Sequence, residues 1–315
     1  MDDLSLGLAL LAFVGALALS AALVWMSISI AHRYDIVDHP DGARKVQAYA
    51  IPKLGGVAIA IAFSAMALLV LSRGDQPLVL AEALWILLPS IAAAAVGYID
   101  DKRGLSPVVR LLLQGLVGLA IALALRNTVM ITDNSWINAA IVVLWVMALI
   151  NGVNLLDNSD GLAGATVLAS ALIASAVAAV GGQILISLLG LALAGTAAGF
   201  LVHNWNPARV YMGDSGAYFL GTLLAALTLQ LNLAYANPPL TLLIPILVAA
   251  LPLLDTTFVI MSRLRRGIHP FTAGRDHLSH RLQGAGLSVR GSVFTLQAIM
   301  LVSGIGAFTI ALSYR

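Results

Sequence analysis

Read from its N-terminus, the chain alternates long apolar runs with short polar ones. Ten windows reach the roughly 20 apolar residues that an α-helix needs to cross a bilayer. They lie near 4–31, 54–72, 79–99, 108–125, 135–152, 162–180, 184–202, 215–234, 239–261 and 291–312. The pattern predicts an all-α polytopic membrane protein of about ten transmembrane helices, organised as one integral-membrane domain over residues 1–315. No internal repeat or low-complexity tract divides it. Asp2 and Asp3 stand where a secretory signal peptide carries basic residues, so the first run is expected to stay in the mature protein.

Composition agrees and narrows the chemistry. Sixty per cent of the 315 residues are hydrophobic and 10% are charged, whereas a soluble domain carries about 25% charged residues. There is no cysteine, which excludes thiolate nucleophiles, disulfides and Cys-based metal sites. Alternating the loops between two sides places 14 of the 17 Lys and Arg residues, all six histidines and most acids in segments 32–53, 100–110, 153–161, 203–214 and 262–290. Basic residues mark the cytoplasmic side. The expectation is a membrane protein with both termini outside and its chemistry facing the cytoplasm.

Five loops on that side carry the candidate residues. After the third run come Asp100 and Asp101, followed by Lys102 and Arg103. Adjacent carboxylates at a membrane surface call for cations, and a hard ion such as Mg²⁺ shared with phosphates would compensate them. Next, Asn151, Asn154, Asp157 and Asp160 recur every third residue. Neighbours in that series share a helix face, but over nine residues the last rotates away from the first. Either the helix loosens there or the two ends serve opposite sides of a pocket. Further on, His203-Asn204-Trp205-Asn206-Pro207 leads to Gly213-Asp214-Ser215-Gly216, with Asp214 at the mouth of the eighth run. Asp255 lies inside the ninth run between structural and functional readings, and Pro245 and Pro252 are expected to bend or break that helix.

The last loop is the most basic. If the stretch after Gly274 is helical, His277, His280 and Arg281 line one face and suit phosphoryl oxygens as donors. Arg263, Arg265 and Arg266 suit anionic lipid headgroups. In the first loop, Arg44, Lys45 and Lys53 can hold phosphate, and Gly55-Gly56 allows close helix packing. Acids, amides, histidines and arginines without a P-loop fit metal-assisted phosphoryl transfer, and the membrane setting suggests a lipid substrate. No nucleic-acid partner is expected.

With these residues in place, the chain resembles the polyprenyl-phosphate N-acetylhexosamine-1-phosphate transferases and, more distantly, the phospho-MurNAc-pentapeptide translocase. The likeness runs from about residue 35 to 290. It is carried by Asp38, Pro40, Asp41, Arg44, Lys45, Pro52, Gly55 and Gly56; by Asp100, Asp101, Leu105 and Gln114; and by three segments, Asn151 to Leu162, Asn204 to Gly216 and Arg275 to Leu282. It departs at Gln47 and Ser279, where the family usually has His, and at Asn158, where Gly is common.

The resemblance implies transfer of an N-acetylhexosamine-1-phosphate from a UDP-N-acetylhexosamine, GlcNAc foremost, to undecaprenyl phosphate, with UMP released and a cell-envelope polysaccharide begun. It implies Mg²⁺, with Mn²⁺ as a substitute, held by Asp214 and Asp101. Asp100 would bind or deprotonate the lipid phosphate, with Asp157 and Asp160 along the nucleotide-sugar pocket. His277 and His280 complete the catalytic set. Arg44, Lys45, Asn151, Asn154, Asn204, Arg275 and Arg281 would contact substrate, and a homodimer is compatible. Two other readings are a transporter, which predicts inverted repeats and midplane acids, and a membrane prenyltransferase, which leaves His277 to Leu282 unexplained.

Overall fold

The computed structural model describes residues 3–38, 50–73, 77–129, 131–231, 242–270, 272 and 274–313, with side chains given from residue 6 and not for 77–82. Helix α1 (Asp3–Leu10) runs through a π-helical turn (Leu11–Gly15) into α2 (Ala16–Arg33). Then follow α3 (Gly55–Leu71), α4 (Pro77–Arg103), α5 (Pro107–Ala124), α6 (Ser135–Leu156), α7 (Leu162–Val180), α8 (Ile184–Asn204) and α9 (Gly213–Leu229). The C-terminal part holds α10 (Leu243–Val248), α11 (Ala250–Arg265), α12 (Leu278–Gly284) and α13 (Val289–Ser313). Among the described residues, seven helical stretches are long and apolar enough to cross a membrane, so this is a multi-pass membrane protein.

The remaining predicted runs are shorter or divided. Helices α3 and α9 each have 17 residues. The ninth run breaks at Ala249, between α10 and α11. Pro252 explains the place, because its ring cannot donate to the carbonyl four residues back and clashes with it. That carbonyl belongs to Val248, the last residue of α10. Segment 232–241, where the eighth and ninth runs meet, lies outside the described residues.

Helix starts follow their capping residues. Ser106 accepts from the Val109 N–H ahead of Pro107 in α5, and Asn134 accepts from the N–H groups of Trp136 and Ile137 in α6. Both satisfy donors that the helix itself leaves unpaired. On α5, Leu112, Leu116, Leu119 and Leu123 are exposed while Gln114, Val117, Gly118 and Ile121 are buried. An exposed apolar stripe of this kind would cost free energy in water and is at rest against lipid chains.

At the centre stands α9. Every residue from Ser215 to Thr228 is buried, as expected of a helix apolar on all sides. It packs chiefly against α4 and α6, with α3 beside it. A short antiparallel pair, β1 (Val37–Asp38) and β2 (Ile51–Pro52), was not predicted. It carries the chain across the mouth of α9: the Tyr211 N–H donates to the Pro52 carbonyl at 2.8 Å, and the Gly56 N–H to the Met212 carbonyl at 3.1 Å.

Candidate active site

Where α4, α6 and α9 end or begin, their polar termini meet. Asp101, on the last turn of α4, accepts the Ser215 N–H at 3.3 Å through Oδ2. The approach is close because residue 213 is glycine with φ +65°; a Cβ there would stand 2.6 Å from Asp101 Oδ2. Asp214 accepts from Asn154 Nδ2 at 2.5 Å. Asp157 follows the C-terminus of α6. Burial, and then the charges of Asp214, Asp101 and Asp160, push its carboxyl well above the usual range.

A cation faces this cluster. Lys53, just after β2, pairs with Asp38 at 2.9 Å. Burial alone would lower its pKa; the hydrogen bond and charge of Asp38 and the charges of Asp101 and Asp214 outweigh that and raise it. Lys53 therefore remains an ammonium ion facing the carboxylates. From sequence Lys53 is one of three first-loop cations able to hold phosphate, and only the β1–β2 pair shows where it goes.

Other predicted residues are held by the protein itself. Asp100 is buried, and its oxygens accept from the Leu105 N–H at 2.8 Å and the Tyr218 hydroxyl at 2.8 Å, with Arg110 Nε at 3.5 Å. Nothing in the local sequence signalled Tyr218. Asn204 is buried, receiving the Gly161 N–H at 3.0 Å and donating to the Val210 carbonyl at 2.8 Å. Asp160 accepts from Asn206 Nδ2 at 2.9 Å and the Ala208 N–H at 3.0 Å. These bonds staple the α6–α7 turn to the segment before α9. Asn151 donates to Gln114 Oε1 at 2.6 Å and to its own helix at Met147. Of the two readings for the Asn151–Asp160 series, the helix ends: α6 stops at Leu156 and a left-handed Gly161 precedes α7.

The last loop returns to the same place. His277 caps α12 in an extended conformation, and its ring meets that of His280 edge-on at 5.6 Å. Burial, then the charges of His277 and Arg275, hold His280 below the ordinary imidazole range, and its buried Nδ1 has no partner among the described residues. Arg281, like His277, turns toward α11: its guanidinium lies 4.8 Å above the Phe258 ring and donates to Ser262 Oγ. Arg275 is exposed. Ser279 donates to Asn158 Oδ1 at 2.5 Å and Gln283 Nε2 to Ser159 Oγ at 3.2 Å. Two of the departures from the family pattern thus touch each other and dock α12 onto the α6–α7 turn. Arg44 and Lys45 lie outside the described residues.

The arginines assigned to headgroups divide differently. Arg263 is buried, and its Nε pairs with Asp276 at 3.0 Å; Arg266 pairs with the same carboxylate. Burial alone would raise the Asp276 carboxyl, but the hydrogen bonds from Arg263 and Arg266 prevail and hold it below its ordinary range. A depressed carboxyl adds stability at neutral pH that disappears as pH falls through its folded range, below about pH 4. Asp276→Asn is expected to lower hydrogen-exchange protection across residues 274–284 at neutral pH and to abolish the acid-induced loss of protection expected in the parent. Equal exchange in both proteins at pH 7 would count against the clamp.

A carboxylate-rich site formed where helix ends converge defines the class: a multi-pass membrane protein whose acids gather at one end of its helices. Residues 83–232 match the sequence pattern of Glycosyl transferase family 4. A Bacillus subtilis (strain 168) protein, called a probable undecaprenyl-phosphate N-acetylglucosaminyl 1-phosphate transferase, is 33% identical over 89% of this chain and 79% of its own length. A Mycolicibacterium smegmatis decaprenyl-phosphate N-acetylglucosaminephosphotransferase is 28% identical over 95% of this chain and 81% of its own. A Streptococcus mutans phospho-N-acetylmuramoyl-pentapeptide-transferase is 34% identical, over 48% of this chain and 44% of its own. The chain belongs to glycosyl transferase family 4.

Proposed function

We propose that this protein transfers GlcNAc-1-phosphate from UDP-GlcNAc to undecaprenyl phosphate at the cytoplasmic face of a bacterial inner membrane, as the first step of a cell-envelope polysaccharide. An oxygen of the lipid phosphate attacks the sugar-bearing phosphorus. A new phosphoanhydride bond forms, the bond to the α-phosphate oxygen breaks, and UMP leaves. The observation that carries this reading is the convergence of Asp101, Asp157 and Asp214 with Lys53 as their facing cation.

The residues fit Mg²⁺ in a particular way. No three acids or histidines among the described residues stand close enough to enclose an ion. Mg²⁺ ordinarily takes one or two protein carboxylates and fills its shell with phosphate oxygens and water, which suits Asp101 and Asp214. Once bound, the ion would neutralise charge on the diphosphate and its leaving group. Lys53 holds a phosphate oxygen, and His280 donates to the transferred phosphoryl group. Asn154 keeps Asp214 oriented.

The test is UMP release by purified protein with undecaprenyl phosphate and either UDP-GlcNAc or UDP-MurNAc-pentapeptide at equal concentration. Faster release from UDP-GlcNAc is expected, since likeness to the pentapeptide enzyme covers only 48% of this chain. Faster release from the pentapeptide donor would overturn the donor assignment and leave the reaction standing.

A further inference from the structure

Asp255 has no part in the site as described so far. It lies on α11 in an apolar stretch and is 1% exposed, where a carboxylate persists only with partners. Both its oxygens are engaged with the start of the last loop's helix. Oδ2 lies 2.7 Å from Nδ1 of His277, and Oδ1 accepts the Leu278 N–H at 2.8 Å. An anionic oxygen facing Nδ1 fixes the tautomer: Nδ1 carries the proton, and Nε2 is the atom left to face outward. The ring so held is buried and meets His280, which bonds the backbone of Asn158 at the α6–α7 turn.

We propose that Asp255 is a positioning residue for the transfer reaction, holding His277 with Nδ1 protonated so that its bare Nε2 accepts the proton of the attacking lipid phosphate. The inference rests on the sugar-phosphate transfer proposed above and adds to it a residue that acts through another. Asp255 also has a simpler use. Helix α12 begins with no side-chain cap of its own, and Oδ1 of Asp255 supplies one from α11.

Asparagine separates the two uses. Its Oδ1 still accepts the Leu278 N–H, so the cap survives. Its Nδ2 stands in place of Oδ2 and donates, so His277 must leave Nδ1 bare and carry its proton on Nε2. With the full chain in detergent, undecaprenyl phosphate and UDP-GlcNAc, Asp255→Asn is expected to lower kcat about 10- to 100-fold, in the range seen for carboxylate partners of functional histidines. KM for UDP-GlcNAc should stay within about twofold, and the melting temperature should not move. The double variant Asp255→Asn, His277→Ala should be no slower than His277→Ala alone.

Imidazole ¹⁵N spectra, with His277 assigned by its loss in His277→Ala, should show Nδ1–H in the parent and Nε2–H in Asp255→Asn. Parent-like kcat in Asp255→Asn, additive losses in the double variant, or Nε2–H in the parent protein would each overturn the proposal. If the parent releases no UMP from any donor, the transfer reading fails instead, and the parent's tautomer still decides the dyad.

Discussion

Asparagine at Asp214 or at Asp101 is expected to slow UMP release about a thousandfold or more. A metal ion at a transferring phosphoryl group supplies several kcal/mol of stabilisation, and each 1.36 kcal/mol is tenfold in rate. EDTA should silence the parent protein, with Mg²⁺ or Mn²⁺ restoring it; full activity in EDTA would remove the metal from the account. The two substitutions should leave the fold unharmed, because each removes one charge from a cluster of mutually repelling carboxylates. Asp100→Asn should behave differently. Its carboxylate is buried and bonded by the Leu105 N–H, the Tyr218 hydroxyl and Arg110, and an amide cannot accept at both positions. Loss of melting temperature together with activity is therefore expected for Asp100→Asn, and loss of activity alone for its neighbour. Indistinguishable melting curves for the two variants would show that the bonds to Asp100 contribute nothing measurable.

That contrast marks the limit of what the chain discloses on its own. Apolar runs and Lys/Arg asymmetry are statements about solvent, which acts on every residue of a helix alike, so helices stood where the runs were long. Pro252 broke the ninth run because backbone sterics are local. The adjacent acids at 100 and 101 look equivalent in sequence because nothing local distinguishes which one turns toward Tyr218, 118 residues away. Asn204 and Asp160 have groups suited to sugar binding, yet Asn204 and one oxygen of Asp160 are engaged by backbone and amide groups that only the folded chain brings near. Lys53 shows the reverse. Its charge was visible, but its place opposite Asp101 depends on a two-residue strand pair too short for any periodic pattern.

Gly97→Ala should be among the most damaging single changes, although it adds only a methyl group. Gly97 lies on α4, and a Cβ there would stand 2.3 Å from the Asp214 carbonyl oxygen and 2.6 Å from the Ser215 nitrogen. Both are backbone atoms at the N-terminus of a helix buried on every side, so neither can swing away as a flexible side chain would. Relief requires α4 and α9 to separate by about an ångström at the point where Asp101 and Asp214 face each other. A misplacement of that size costs about a hundredfold when reacting groups must be aligned, and overpacking itself destabilises by about 1–3 kcal/mol. Gly284→Ala provides the control: it too lies on a helix, the last residue of α12, and a Cβ there meets nothing within 4 Å. UMP release and melting temperature should fall together in Gly97→Ala and stay at parental values in Gly284→Ala. A fully active Gly97→Ala would mean that the α4–α9 contact is looser than drawn, and that the spacing of Asp101 and Asp214 is set by something other than these two helices.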